Sequence, residues 1–266
     1  MKKINLLNKD KKPLLLVDNI CFSYSKEDKT LFSNFFLRIE ENDFISIVGP
    51  NGSGKTTILK LLIKEFLPDN GFIYLKSKDL KHWKRKDLAK EISYLPQKIP
   101  SEININVLDY VVMGRYPHKE LLEDYNAEDY DIALNYLKKL DIIDIKNKNF
   151  SFLSGGEQRI VMLAQALTSE SSILLLDEPD SFLDIAHKKE FYQILNYLNE
   201  EENKTIITIS HDLQLAFSYS KKICGIKNGT IIFIEEAKNI YDRMISELFG
   251  TNINIYKNKD KMAIVY

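Results

Sequence analysis

Apolar residues recur along this chain with two alternating periods. FISIVG (44–49) is a short apolar run closed by glycine. KTTILKLLIKEF (55–66) follows with Ile58, Leu59, Leu62, Ile63 and Phe66 at helical spacing. The pair predicts a strand running into a helix. Pro68-Asp69-Asn70-Gly71 predicts a turn, GFIYL (71–75) the strand after it, and ISYLP (92–96) a further strand. Between about 100 and 155 the pattern turns helical. Asn106 and Asp109 are spaced as a capping pair opening one helix, and Asn126 and Asp129 open another that runs to about Leu140.

Strand–helix alternation then resumes. SSILLLD (171–177) is a continuous apolar run, as expected of a strand buried on both faces. HKKEFYQILNYLNEEE (187–202) predicts a helix, TIITIS (205–210) a strand and HDLQLAFSYS (211–220) a helix. Asn228-Gly229, between ICGIK and TIIFI, is a two-residue hairpin signal. The tail from about 236 predicts one more helix-like stretch and a last strand, AIVY. This alternation implies an α/β fold with a largely parallel sheet and a helical insert as a subdomain.

Composition narrows the function. The 266 residues are 44% hydrophobic and 28% charged, and 37 Lys and Arg against 38 Asp and Glu give a net charge of −1. That balance argues against a dedicated nucleic-acid binder, which needs a basic excess, and against disorder. Cys21 and Cys224 are far apart and read as neither a metal site nor a disulfide framework. The start of the chain begins like a signal peptide, but Asn8, Lys9, Asp10, Lys11 and Lys12 break it. No run of about 18 apolar residues occurs, so the expectation is a cytosolic chain that does not itself span a membrane.

Gly49-Pro50-Asn51-Gly52-Ser53-Gly54-Lys55-Thr56 fits GxxxxGK[ST], after a strand and opening a helix. Glycines let successive backbone N–H groups turn inward around an anion, and the helix N-terminus adds favourable partial charge. Lys55 is placed to reach the β- and γ-phosphates, and the Thr56 hydroxyl to ligate Mg²⁺. Ile173–Leu176 end in Asp177 and Glu178. Alone, such a strand end reads equally well as a helix cap. Beside a phosphate loop it supplies a carboxylate for the Mg²⁺ shell (Asp177) and one to polarise the attacking water (Glu178). Leu153-Ser154-Gly155-Gly156-Glu157 opens the helical stretch EQRIVMLAQAL as a second anion site. Two phosphate sites in one chain imply two nucleotides, or one nucleotide held between two copies.

With these motifs in order, the chain resembles the ATP-binding cassette of ABC transporters. LSGGE matches that family's signature, and the resemblance runs from about Leu15 to about Phe249. Tyr24 in FSY, Gln97 in YLPQ, Ser181-Phe182-Leu183-Asp184 and His211 in ISHD match further family elements. The resemblance implies a P-loop NTPase with a RecA-like parallel-sheet core, an antiparallel β subdomain and an α-helical signature subdomain. It implies an ATPase domain over 14–250, with its core at about 14–97 and 160–235 and its helical subdomain at about 98–159. Residues 236–266 are then a C-terminal extension packed on the core.

It further implies ATP and Mg²⁺, bound in a head-to-tail homodimer between the loop of one copy and LSGGE of the other. Tyr24 would stack on adenine, and Gly49–Gly54, Lys55, Thr56 and Thr57 would hold the phosphates. Ser154, Gly155, Gly156 and Glu157 would approach the γ-phosphate from the other copy. Asp184 would link the two sites. Thr56, Gln97 and Asp177 would serve the metal, and Glu178, His211, Gln97 and Lys55 would serve catalysis. Asp180, Phe182 and Gln165 stand where the family commonly has Thr, a smaller residue and Arg.

Met113-Gly114-Arg115-Tyr116-Pro117-His118, LDIAH (183–187) and HDLQLA (211–216) resemble the ATPases of bacterial importers for iron–siderophore complexes, haem and cobalamin. In that group the GRYPH position receives the coupling helix of a separate membrane permease, which works with a substrate-binding protein. The implied location is the cytoplasmic face of the membrane. ATPases of zinc and manganese importers, and soluble ABC ATPases outside transport, remain the alternatives.

Overall fold

A computed structural model describes residues 12–25, 27–100, 103–181, 183–258 and 261–265. The interrupted signal-like start up to Lys11, the unusual Phe182 and the last residue of AIVY lie outside the described residues. In chain order the elements begin with β1 (Leu15–Phe22), β2 (Phe32–Ile39), β3 (Phe44–Val48), α1 (Lys55–Leu62), β4 (Asn70–Leu75) and β5 (Lys78–Asp79). They continue with α2 (Arg85–Glu91), β6 (Ile92–Leu95), α3 (Val107–Val112), α4 (Ala127–Lys139), α5 (Gly155–Thr168), β7 (Ile173–Asp177) and α6 (Ile185–Glu200). The chain ends with β8 (Thr205–Ile209), α7 (Leu213–Tyr219), β9 (Lys222–Lys227), β10 (Thr230–Glu236), α8 (Asp242–Phe249), β11 (Asn254–Asn258) and β12 (Lys261–Val265). Mixed parallel and antiparallel pairing with interleaved helices makes this an α/β fold.

The chain forms two compact units, one running to Trp83 and resuming at Ile207, the other spanning Lys84–Ile206. In the first, an antiparallel sheet runs β2-β1-β4-β5. Neither β1 nor β2 stands out in the apolar pattern, for a physical reason. Asn19 (φ 54°) and Asn34 (φ 55°) adopt left-handed backbone, and the register between the two strands shifts there. The buried set therefore slips by one residue, from Leu15 and Val17 to Ile20 and Phe22.

Strand β3 is buried throughout and pairs in parallel with β9, which turns through Asn228-Gly229 into antiparallel β10. Both turn residues have positive φ, as the tight hairpin requires. Helices α7 and α8 close this unit: Phe217, Ile245 and Leu248 join Val48, Ile223 and Phe233 in one apolar cluster. Helix α1 stops four residues earlier than its apolar spacing predicts. Lys64 takes left-handed backbone (φ 61°) and its ammonium donates to the carbonyls of Lys81 and Trp83.

In the second unit β6 pairs in parallel with β7, whose residues are all buried, so the apolar run at 173–177 is a core strand. The expected caps form at both helix starts: Asn106 accepts from the Asp109 N–H (2.8 Å), and Asn126 and Asp129 make a reciprocal box. Helix α3 gives way to a tighter helical segment through Met113–His118. Buried Arg115 and Lys119 both meet the buried Asp129 carboxylate, at 3.1 and 2.8 Å, and fix that segment to the start of α4. Helix α2 carries one buried apolar residue, Leu88, which leaves no amphipathic period to read. Among the described residues no helix is long and apolar enough to cross a membrane.

Gly114 tests this packing. A Cβ there would lie 2.1 Å from the Gln165 carbonyl oxygen of α5, and backbone cannot yield cheaply. We expect Gly114→Ala to destabilise the full chain by about 1–3 kcal/mol, read as a lowered urea midpoint. An unchanged midpoint would contradict the contact.

Candidate functional site

Strand β3 delivers the chain into the loop Gly49–Gly54, and α1 starts at Lys55. The residue before that helix, Gly54, has φ 100°, no side chain caps the helix, and its first turn holds no acidic residue. The positive end of the helix therefore has no carboxylate of its own first turn against it. Glycine is obligatory at two points. A Cβ on Gly49 would fall 2.0 Å from the Ile226 carbonyl oxygen, and one on Gly54 would fall 2.7 Å from the Phe32 ring. Gly52, at φ 74°, faces open space.

Two side chains complete the cradle. Ser53 is buried and its hydroxyl has no hydrogen-bond partner among the described residues. An unmet buried hydroxyl is costly, so it marks a place for a polar ligand. Lys55 is also buried, and its ammonium donates to the carbonyls of Gly49 (2.8 Å) and Pro50 (3.0 Å). A positive helix end, an ammonium and an unmet hydroxyl suit an anion of high charge density. Tyr24 is 59% exposed, and its hydroxyl and the Thr57 hydroxyl lie 2.6 Å apart. Phe22 and Phe66 meet its ring edge-on, at 5.2 and 5.6 Å. His211 is exposed after β8, and Asp212 behind it caps α7 through the Leu215 N–H.

The second unit holds the carboxylates. Asp177 is buried at the end of β7, where the Tyr94 hydroxyl donates to it at 3.2 Å. Glu178 follows in left-handed backbone (φ 46°), and the Gln97 amide donates to its carboxylate at 2.5 Å. Tyr94 is a partner that motif reading missed; its only sequence signal is its place on the strand beside β7.

The LSGGE segment starts α5 with its own cap. Ser154 accepts from the Glu157 N–H, while the Glu157 carboxylate takes the Ser154 N–H (2.8 Å) and hydroxyl (2.9 Å). That backbone N–H, then the hydroxyl, holds the Glu157 carboxyl below its usual range. Gly155 faces open space, and Gly156 faces Leu183 and His187. Asp184 caps α6 by accepting from the His187 N–H (2.9 Å) and pairs with the His187 ring at 2.9 Å. Those bonds hold Asp184 below the usual carboxylate range and raise His187 above the usual imidazole value. Asp180 is buried, with its carboxylate 3.9 Å from Lys188.

Tyr24, Gly49, Pro50, Asn51, Gly52, Ser53, Gly54, Lys55, Thr56, Thr57 and His211 thus belong to the first unit. Gln97, Ser154, Gly155, Gly156, Glu157, Asp177, Glu178 and Asp184 belong to the second. Within the units, Tyr24 meets Thr57, Gln97 meets Glu178, and the signature glycine meets the turn that follows the carboxylates.

Residues 32–181 match the family model described as ABC transporter. The chain belongs to the ABC transporter family. It is 31% identical over 239 residues to the petrobactin import ATP-binding protein of Bacillus anthracis, covering 90% of this chain and 88% of that one. It is 31% identical to the ferric enterobactin transport ATP-binding protein of Escherichia coli, covering 83% and 82%. To the iron(3+)-hydroxamate import ATP-binding protein of Bacillus subtilis it is 34% identical, covering 77% and 76%. Among solved structures it resembles a metal-chelate type ABC transporter in an inward-facing conformation, at TM-score 0.82 and 26% identity over 96% of this chain and 98% of that one. It also resembles a dimeric ATP-binding cassette in a post-hydrolysis state with ADP and Pi, at TM-score 0.74 and 26% identity over 85% and 100%. The cassette is an ATP-binding, ATP-hydrolysing domain of the kind that dimerises.

The self-capped signature helix has a pH signature. A carboxyl whose folded pKa is depressed contributes stability above its unfolded value, about 4.3, and loses it as pH falls through the folded value. The stability gap between wild type and Glu157→Gln should therefore hold steady from pH 7 to about 5.5 and shrink below. Urea unfolding at several pH values reads it. A gap independent of pH down to 3.5 would contradict the cap.

Proposed function

We propose that this cassette is the ATP-hydrolysing subunit of an importer for iron–siderophore-type metal chelates, working through a separate membrane permease. The geometry of Gly49–Thr56 carries the nucleotide reading: an uncapped helix start, a buried unmet Ser53 hydroxyl and a buried Lys55 ammonium lie on one loop. Several relatives named for siderophore import support the cargo class.

The triphosphate binds the backbone N–H groups of the loop, and Lys55 exchanges its carbonyl partners for β- and γ-phosphate oxygens. Tyr24 leaves its Thr57 contact and presents its ring to adenine. The Thr56 hydroxyl, the Asp177 carboxylate and the Gln97 side chain offer oxygen donors, the set that suits Mg²⁺. When bound, Mg²⁺ supplies neutralisation of charge on the β- and γ-phosphates. Glu178 polarises the attacking water, Gln97 orients Glu178, and His211 contacts the γ-phosphate.

Two copies join head to tail, so that Ser154, Gly155 and Gly156 of one meet the γ-phosphate held by the other. Asp184 links the two sites. The Glu157 carboxylate sets the backbone of that helix start. We read the cassette as lying at the cytoplasmic face of the membrane, with the helical segment 98–159 as a subdomain and 236–266 as an extension on the core. A substrate-binding protein delivers the cargo to the permease.

The Met113–His118 segment supports the permease contact. It borders a groove of about 390 Å³ lined by Lys86, Tyr116, Leu121 and Leu122 among others. Tyr116, Leu121 and Leu122 are 69, 89 and 96% exposed, an apolar cluster suited to a permease segment.

Steady-state hydrolysis by the full chain tests the assignments. Lys55→Ala should weaken MgATP binding about tenfold or more. Glu178→Gln should lower kcat by roughly 10²-fold with binding retained. Hydrolysis by Glu178→Gln at the wild-type rate would overturn the role of Glu178.

A further inference from the structure

Arg159 is the largest fully buried side chain of the described residues, 1% exposed, and no motif assigns it a task. It lies on α5, five positions after Ser154. Burying a guanidinium is costly unless its donors are met, and burial pulls its pKa down to about 10 against the pull of Asp180, Asp177 and Glu178. The donors are met by backbone carbonyls. Nε donates to Pro179 (2.7 Å), Nη1 to Pro96 (2.6 Å) and more weakly to Gln97 (3.4 Å). Nη2 donates to Glu178 (2.9 Å) and Asp177 (3.2 Å).

Packing α5 against β6 needs no charge, since an apolar side chain would fill the same volume. What the planar fork adds is a fixed spacing between two stretches of chain, 96–97 and 177–179. One carries the Gln97 amide and the other the Glu178 carboxylate, which meet at 2.5 Å. Glu178 also pays for its left-handed backbone, a conformation that disfavours a side chain. Its carbonyl is held by three donors: Arg159 Nη2, the Ser181 N–H (3.1 Å) and the Ser181 hydroxyl (2.6 Å). Removing them frees the peptide to rotate and the carboxylate to swing with it.

We propose that Arg159, assisted by Ser181, is a positioning residue for hydrolysis, locking Glu178 into its left-handed turn and its carboxylate onto Gln97. Because Arg159 rides on the helix that opens with the signature, a displacement of α5 reaches Glu178 through these bonds. The proposal rests on the reading of Glu178 as the residue that polarises the water.

The test is a double-mutant cycle on the full chain, with Arg159→Lys and Ser181→Ala made alone and in the Glu178→Gln background. Lysine keeps the charge but loses the fork. The readouts are kcat and KM, single-turnover rates for the slow variants, MgATP affinity and the thermal midpoint. Arg159→Lys is expected to lower kcat about 10- to 100-fold and Ser181→Ala about 3- to 10-fold, with KM and affinity within about twofold. In the Glu178→Gln background neither should cost more than about twofold further. Equal fold-losses in both backgrounds, or kcat within about twofold of wild type, would overturn the proposal. Loss of a cooperative unfolding transition in both single variants would make the group structural and overturn it too. A wild-type rate for Glu178→Gln alone would instead remove the reading of Glu178, which separates the two failures.

Discussion

A triphosphate can be held without bulky cations only where several backbone N–H groups point at one place, and that requires chain with no side chains in the way. In the first unit this constraint shapes everything near the loop. Gly49 lies against the Ile226 carbonyl and Gly54 against the Phe32 ring, so β9 and β2 both press on it. The Gly229 N–H donates to the Ser53 carbonyl at 3.1 Å, so the β9–β10 hairpin also sets the loop's shape. Binding chemistry and fold are one problem here, because the elements that build the core also forbid any residue but glycine.

The two helix starts assigned to phosphate differ in resting electrostatics. Helix α1 begins uncapped, with the Lys55 ammonium turned to carbonyls of its own loop. Helix α5 begins with the Glu157 carboxylate on its N-terminal donors. The first is ready for an anion; the second is already neutralised by one of its own residues. Of the two, the loop is the better resting place for an anion. In the proposed pair, the signature helix would meet a phosphate already held by the loop of the other copy.

Much of this was legible in the sequence because the motifs sit on strongly patterned elements. The run at 173–177 and the glycine loop between strand and helix announce both their structure and their chemistry. Strands β1 and β2 were hidden because Asn19 and Asn34 shift the alternation by a residue, which no strict period-2 pattern can register. The end of α1 at Leu62 was hidden because Lys64, just beyond it, gives no stop signal; its carbonyl partners lie at Lys81 and Trp83, close only after folding. Within the candidate site, residue types were legible and mutual geometry was not. Nothing in the letters gives Glu178 a left-handed backbone. Nothing in EQRIVML marks Arg159 as a buried group, because its carbonyl partners come close only after folding.

The work proposed for this cassette is to drive a membrane permease for metal chelates. The most direct test is to purify the tagged full chain from gently solubilised native membranes and identify what comes with it. A permease of many apolar spans together with a metal-chelate binding protein is expected. Recovery only from the soluble fraction, with no membrane partner, would contradict it and leave an ABC ATPase whose work lies outside transport.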